Sequence, residues 1–391
     1  MTAPSALGRP GRLDSYGTTV FAEMSALALE AGAVNLGQGF PDEDGPPEVL
    51  EAAAQAIRDG HNQYPPGRGV PELLAAVSDH QRRFYGLELD PGSEILATTG
   101  ATEAIAAAVL GLTDPGDEVV TFEPYYDSYA ATIDLAGAAR RVVSLRPPDW
   151  RFDPAELERA VTARTKLVLL NSPHNPTGKV FDDDELGLVA DLCRRNDLLA
   201  VTDEVYEHLV FEGRHVPLAT LPGMRERTVT ISSAGKTFSE TGWKIGWACG
   251  PAPLLDRVRS VKQFLTYASG TPFQLAVARG LRLGDEAFSS IRNSYETRRN
   301  LFCDGLDALG WDVLRPAGTY FATADIGRFG DTDGWAFCRR LVAEVKVAAI
   351  PTEVFYDDKE IGRRLVRFAF CKRPEVLTEA LARLGGVSKA T

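Results

Sequence analysis

The chain has 391 residues, 44% of them apolar and 25% charged, with a formal net charge of −12, a size that holds two domains around sizeable cores. The acidic balance, with Arg pairs scattered singly and no dense Lys/Arg run, argues against a nucleic-acid partner, because phosphate neutralisation needs concentrated positive charge. Five cysteines without C-x-x-C or C-x-x-H spacing argue against a disulfide framework or a zinc site, and with neither an apolar signal core near the N-terminus nor a run of membrane-spanning length, a soluble cytoplasmic protein is expected.

The first dozen residues are rich in Gly and Pro and are expected to be poorly ordered. From Thr18, residues Phe21, Met24, Leu27 and Ala28 fall at helical spacing, with Gly32 as the stop. The glycines and proline of Asn35 to Asp42 rule out a helix, and G-Q-G-F-P-D lacks the strand-to-helix context of a dinucleotide fingerprint. A helix from Pro47 to Asp59 stops at Gly60. A polar loop, His61 to Gly67, follows and holds Tyr64, by itself a surface or packing tyrosine, before a helix starts at Pro71.

From Glu94 strand and helix signals alternate: Ile95 to Thr98 then Ala101 to Leu112, Val119 to Phe122 then Asp127 to Leu135, Val142-Val143 then Ala155 to Val161. Leu167 to Leu170 precedes a helix from Asp184 to Arg195, and Leu198 to Val201 leads to Asp203. Continuous apolar strands alternating with helices predict an α/β fold, a mainly parallel sheet covered on both faces. Ligands of such sheets bind beyond the carboxyl ends of the strands. Thr228 to Ile231 reads as a further strand that enters a Ser-Ser-Ala-Gly turn and delivers Lys236, and an apolar run resumes from Trp243 to Cys249. After Pro251 the pattern is helical to about Leu309, followed by short strands at Thr319 to Ala324, Val347 to Ile350 and Val366 to Phe370 and a helix from Gly334 to Val345. This predicts a large domain over residues 40–285 and a smaller α+β domain from 286–391 joined by residues 1–39.

The residues after each strand carry the chemistry. Thr99-Gly100-Ala101-Thr102 joins a strand to a helix N-terminus, where outward N–H groups and the helix dipole suit an anion, although such turns are also common without one. Glu123-Pro124-Tyr125-Tyr126 offers an aromatic that stacks on a flat ring or fills a core. Asp203, at a buried strand end, needs a cationic partner, because an isolated buried carboxylate is costly. A lysine held among small residues is desolvated, which lowers its pKa and makes it a nucleophile or Schiff-base former, the alternative being a solvated surface lysine. Arg367, alone in an apolar strand, requires an anion, either an Asp/Glu partner or a substrate carboxylate.

Taken together, S-S-A-G-K-T-F with T-G-W-K-I-G-W, N-P-T-G at Asn175 to Gly178 and D-E-V-Y at Asp203 to Tyr206 resemble the class I, fold type I, pyridoxal-phosphate aminotransferases. The similarity runs from about residue 18 to the C-terminus. It is nearest the branch of N-succinyldiaminopimelate, kynurenine/glutamine and methionine aminotransferases. The resemblance implies an aspartate aminotransferase-like fold and pyridoxal 5′-phosphate as cofactor, linked to Lys236. It implies the cofactor phosphate on Gly100, Ala101, Thr102, Ser233 and Lys244, the ring under Tyr126, its phenolic oxygen on Asn175 and Tyr206, and its nitrogen on Asp203. Lys244 stands where many members have arginine. The substrate carboxylate is expected on Arg367, with Gly39 and Asn175 beside it, and His174 is expected behind the site rather than as a base. Tyr64 matches a tyrosine that reaches the partner subunit's cofactor phosphate, which implies a homodimer with shared sites. Cysteine-conjugate β-elimination or oxidase chemistry uses the same residues. A sensor role is disfavoured by the intact catalytic set and the lack of a helix-turn-helix extension. A nicotinamide dehydrogenase is disfavoured because the Gly-rich loops lack G-x-G-x-x-G in context.

Overall fold

A computed structural model describes residues 11–13 and 16–388; the opening segment expected to be poorly ordered lies almost wholly outside them. The short strand β1 (Val34–Asn35) is followed by the strands of the main sheet. These are β2 (Ile95–Thr98), β3 (Glu118–Glu123), β4 (Ala139–Ser144), β5 (Thr165–Asn171), β6 (Leu199–Asp203), β7 (Thr228–Ser233) and β8 (Gly246–Cys249). Their order is β2-β8-β7-β6-β5-β3-β4, and every pairing is parallel except those of β8, which runs antiparallel between β2 and β7. β2 therefore points the same way as the other strands, so all but β8 end at one edge.

The interior strands are buried along almost their whole length, as continuous Val/Leu runs require when helices cover both faces. Helices Gly100–Leu112 and Ala252–Leu265 pack on one face, and Asp183–Arg195 on the other. The last begins with a reciprocal capping box between Asp182 and Glu185.

The second unit is a four-stranded sheet of β9 (Asp312–Leu314), β10 (Phe321–Asp325), β12 (Ile350–Pro351) and β13 (Leu365–Ala369) in the order β12-β13-β10-β9. Between β10 and β12 in the chain lies β11 (Val347–Ala348), which pairs instead with β1. Helix Val20–Ala31 begins on the Thr19 cap and stops at Gly32, whose φ is 61°. It packs its buried Met24 and Ala28 into this unit's core with Phe302, Phe337 and Phe368. The long helix Asp285–Ala308 serves both units, with Phe288 in the core under β2 and β8 and Phe302 and Leu306 in the other.

Three local expectations are corrected. Ser232 and Ser233 extend β7 rather than forming a turn, because they pair with Trp247 and Gly246 of β8, and Lys236 stands in a one-turn helix, Ala234–Thr237. The run Val347 to Ile350 is two strands that leave Ala349 between them, as the chain passes from β1 to β13. The strand placed at Thr319 starts at Phe321, because Thr319 has a φ of 65° and cannot continue an extended ladder. Among the described residues, no helix is long and apolar enough to cross a membrane, and the five cysteines are free and buried.

Candidate active site

The ends of β2, β5, β6 and β7, with the loop after β3, form the floor of a cavity of ≈ 380 Å³. After β2, Gly100 opens helix Gly100–Leu112 with a φ of 76°. A Cβ there would lie 3.2 Å from Lys244 Nζ, and a Cβ at Gly246 would lie 2.7 Å from the Gly100 carbonyl carbon. The two glycines thus let the start of β8 press against the turn and bring the Lys244 ammonium to the helix N-terminus. Lys244 itself has a φ of 56°.

At the end of β6, Asp203 Oδ2 accepts a 2.5 Å bond from Tyr129 Oη, and Oδ1 accepts from the Val205 N–H at 3.4 Å. Burial pushes the carboxyl pKa up to about 6, against the lowering effect of those bonds and of nearby Lys236. At the end of β5, Asn171 Nδ2 donates to the Asp203 carbonyl at 2.8 Å, and its Oδ1 accepts from the Asn175 N–H at 2.7 Å, which ties the Asn175 loop to β6. Tyr126 caps helix Asp127–Ala136 and lies edge-on to Tyr129, ring centres 5.8 Å apart. Burial raises its pKa to about 12.

The opposite wall comes from the second unit and from residues 37–45. Arg367 of β13 donates to Asn175 Oδ1 at 3.0 Å and to the Gly37 carbonyl at 2.7 Å, while its guanidinium stacks 4.1 Å from the Phe321 ring centre. No carboxylate lies within ion-pair distance of it among the described residues, and its buried Nε has no partner. The expected anion is therefore not an Asp or Glu among the described residues. Burial lowers the Arg367 pKa to about 10, which leaves it charged at neutral pH.

Lys236 Nζ donates to Tyr320 Oη at 2.6 Å and to the Gly39 carbonyl at 3.2 Å. Burial lowers its pKa to about 8, opposed by Cys371 and Asp203 and reinforced by Arg367 and Lys244. Half of this amine is thus neutral near pH 8, where a solvated lysine is almost wholly protonated.

The cavity gathers Gly39, Gly100, Ala101, Thr102, Tyr126, Asn175, Asp203, Tyr206, Ser233, Lys236, Lys244 and Arg367. Tyr64 stands apart, 82% exposed and edge-on to Tyr267 at 5.3 Å. His174 is buried, bonds Thr177 Oγ1 at 2.8 Å, and is driven to a pKa of about 3 by burial, so it stays neutral. Sequence reasoning missed Tyr129, Asn171, Phe21 and Phe321, all of which line the cavity. Tyr129 carried a signal, for it lies one helical turn after Tyr126 and so shares its face; Phe321 carried none.

A family model for aminotransferase class I and II matches residues 31–384. The chain is 52% identical, over 95% of its length and 97% of the relative's, to a protein described as a probable N-succinyldiaminopimelate aminotransferase from Mycobacterium tuberculosis. It is 40% identical to methionine aminotransferase of Escherichia coli over 95% of this chain and 97% of that one. The solved structure of N-succinyldiaminopimelate aminotransferase from M. tuberculosis superposes with a TM-score of 0.94 at 53% identity, covering 97% of this chain and 99% of that chain. The chain belongs to the class I and II aminotransferases.

These enzymes are transaminases that depend on pyridoxal phosphate, and the cavity of this aminotransferase fits that group on three observations. A helix N-terminus meets a lysine at a turn where a Cβ would crowd the Lys244 ammonium, which suits a dianionic phosphate. A buried carboxylate raised by desolvation awaits a cation. A buried primary amine, more readily made neutral than a solvated lysine, faces the same space.

Proposed function

We propose that this transaminase takes the amino group from an L-amino acid of the N-succinyldiaminopimelate type and passes it to a 2-oxo acid such as 2-oxoglutarate. The observation that carries the reading is the convergence of Lys236, Asp203 and Arg367, all buried, on one cavity. The higher identity to the N-succinyldiaminopimelate relative than to the methionine enzyme supports the donor.

When bound, pyridoxal phosphate supplies an electron sink for the pair released as the substrate's Cα proton leaves. In this reading Lys236 would hold the cofactor, and its Nζ, when free and neutral, would take that proton and return it. Asp203, steadied by Tyr129, holds a proton on the ring nitrogen. Asn175 and Tyr206 would bind the phenolic oxygen, and Tyr126 would lie against the ring. Gly100, Ala101, Thr102, Ser233 and Lys244 bind the phosphate. Arg367 offers its fork to the substrate carboxylate, with the Phe321 ring behind it and Gly39 and Asn175 at its sides. The two half-reactions share one site, so kinetics are ping-pong.

The exposed Tyr64 supports a homodimer in which it reaches the partner's phosphate site. The division into a large domain, 40–285, and a small one from 1–39 and 286–391 is supported by the start of the shared helix at Asp285 and the pairing of β1 with β11. Five buried free thiols support a reducing, cytoplasmic setting.

A panel of donors against 2-oxoglutarate, comprising N-succinyldiaminopimelate, methionine, kynurenine and glutamine, tests the reading. It stands if kcat/KM is greatest for the N-succinylated donor. Preference for methionine replaces the substrate, and ammonia released from cysteine conjugates without an oxo acid replaces transamination with β-elimination.

A further inference from the structure

The loop that delivers Tyr320 is built at some cost. Thr319, fully buried, holds a φ of 65°, a region that β-branched residues avoid. Its N–H is fixed to the Leu209 carbonyl at 2.8 Å, and its Oγ1 accepts from the Phe321 N–H at 3.2 Å. This strained residue turns two successive rings inward. Phe321 backs Arg367, and Tyr320, buried to 1%, meets the amine of Lys236. Both rings close on Gly39, where a Cβ would stand 2.6 Å from Phe321 and 3.0 Å from Tyr320.

The hydrogen count fixes what Tyr320 does there. Its hydroxyl has one proton, which the Gly39 carbonyl accepts at 2.6 Å, and the Tyr206 hydroxyl is a further hydrogen-bond neighbour of the same oxygen. Toward Lys236, 2.6 Å off, the phenol oxygen therefore presents lone pairs, so Nζ is the donor. A second N–H goes to the Gly39 carbonyl at 3.2 Å. A neutral amine that spends two N–H groups in this way keeps its own lone pair free and turned from the phenol.

We propose that Tyr320 is a positioning residue for Lys236, docking the amine whenever it is free by accepting from Nζ while its own hydroxyl is committed to the Gly39 carbonyl. The proposal rests on the reading of Lys236 as cofactor lysine and proton carrier. Other groups facing the amine are Asp203 from β6, Tyr206 after it, Arg367 from β13, Cys371 beyond it and Lys244 before β8. None of the hydrogen bonds from Nζ runs to these groups among the described residues.

An acceptor for N–H favours the protonated amine, so its removal lowers the pH at which Lys236 loses its proton. Trace acetylation of the cofactor-free protein across pH, read on the Lys236 peptide by mass spectrometry, measures that midpoint directly. In Tyr320→Phe the midpoint is expected to fall by about one pH unit, in keeping with the loss of one charge-assisted bond. In the loaded enzyme kcat is expected to fall about tenfold, with KM little changed and a larger isotope effect from a donor deuterated at Cα. Tyr295→Phe is the control, since its hydroxyl bonds Ser239 rather than Lys236, and its midpoint is expected to match the wild type. Equal midpoints in wild type and Tyr320→Phe, or an equal shift in Tyr295→Phe, overturn the role. If Tyr320→Phe does not fold, Tyr320→Gln and Tyr320→Leu give the same comparison, and equal midpoints in that pair overturn it. Borohydride fixation of added pyridoxal phosphate separates the two levels. Fixation on another peptide overturns the assignment of Lys236, whereas fixation on Lys236 with an unmoved titration overturns only that of Tyr320.

Discussion

The floor of the cavity and its wall are made in different ways. The floor is a row of strand ends, Asn171 and Asp203 fixed in the parallel ladder and Ser233 by its antiparallel pairing with Gly246 of β8, each presented by a contiguous apolar strand. The wall is assembled from Gly37 to Phe40, Thr319 to Phe321 and Arg367, three segments far apart in the chain and joined mainly through backbone carbonyls. The difference separates two tasks. The floor holds Asp203, whose ionisation is set by burial in the sheet, and in the proposed reading the wall holds the groups that meet the substrate.

Substitutions test that division. Lys236→Ala is expected to reduce turnover by about ten-thousand-fold or more and to abolish the visible absorbance that added pyridoxal phosphate gives the wild type; retained absorbance would break the assignment. On the floor, Asp203→Asn is expected to cost about a hundred- to a thousandfold in kcat. The wild type carries a pH signature at the same residue. With its pKa raised to about 6, Asp203 is ionised well above that value and protonated well below it, so cofactor affinity is expected to be full well above pH 6 and to decline as pH falls through it. Equilibrium titrations with pyridoxal phosphate show this, and Asp203→Asn is expected to flatten the profile.

On the wall, Arg367→Ala is expected to raise KM for amino donors about ten- to a hundredfold while cofactor affinity stays unchanged. Loss of the cofactor there would erase the distinction between wall and floor. Mixing inactive Lys236→Ala subunits with Tyr64→Ala subunits extends the test across the proposed dimer, and partial recovery of activity is expected only if the sites are shared. The smallest effect is on stability. Gly39→Ala drives a methyl to 2.6 Å from the Phe321 ring, and its unfolding free energy is expected to drop by about 1–3 kcal/mol in denaturant melts.

The same contrast explains what was legible in the sequence. Strand-terminal residues are readable because an apolar run announces the strand and the next few residues are held to its end, as with Asp203 at the close of Leu199–Asp203. Arg367 was readable for a related reason, being one charge in an otherwise apolar strand. The contacts of Tyr320 and Phe321 were not readable, because they depend on the backbone sign at Thr319 and on a missing Cβ at Gly39, neither of which leaves a periodic trace. Boundaries failed where pairing outranked composition. Small residues at Ser232 and Ser233 read as a turn until β8 was there to pair with them.

Residues 37–45 are held largely by backbone groups, which every amino acid possesses, with added ties from the side chains of Asp42, which accepts from the Arg373 N–H, and Glu43, which pairs with Arg298. Arg367, Tyr320 and Lys372 grip the carbonyls of positions 37, 39 and 40, and Glu240 takes the N–H of position 45. Along the portion that faces the cavity Gly39 is sterically committed and the ring of the half-exposed Phe40 carries the Lys372 ammonium at 4.0 Å, while among the described residues the Gln38 side chain takes no part in the anchoring. Exchange of Gln38 is therefore expected to alter what the pocket admits while the backbone anchors of the segment persist.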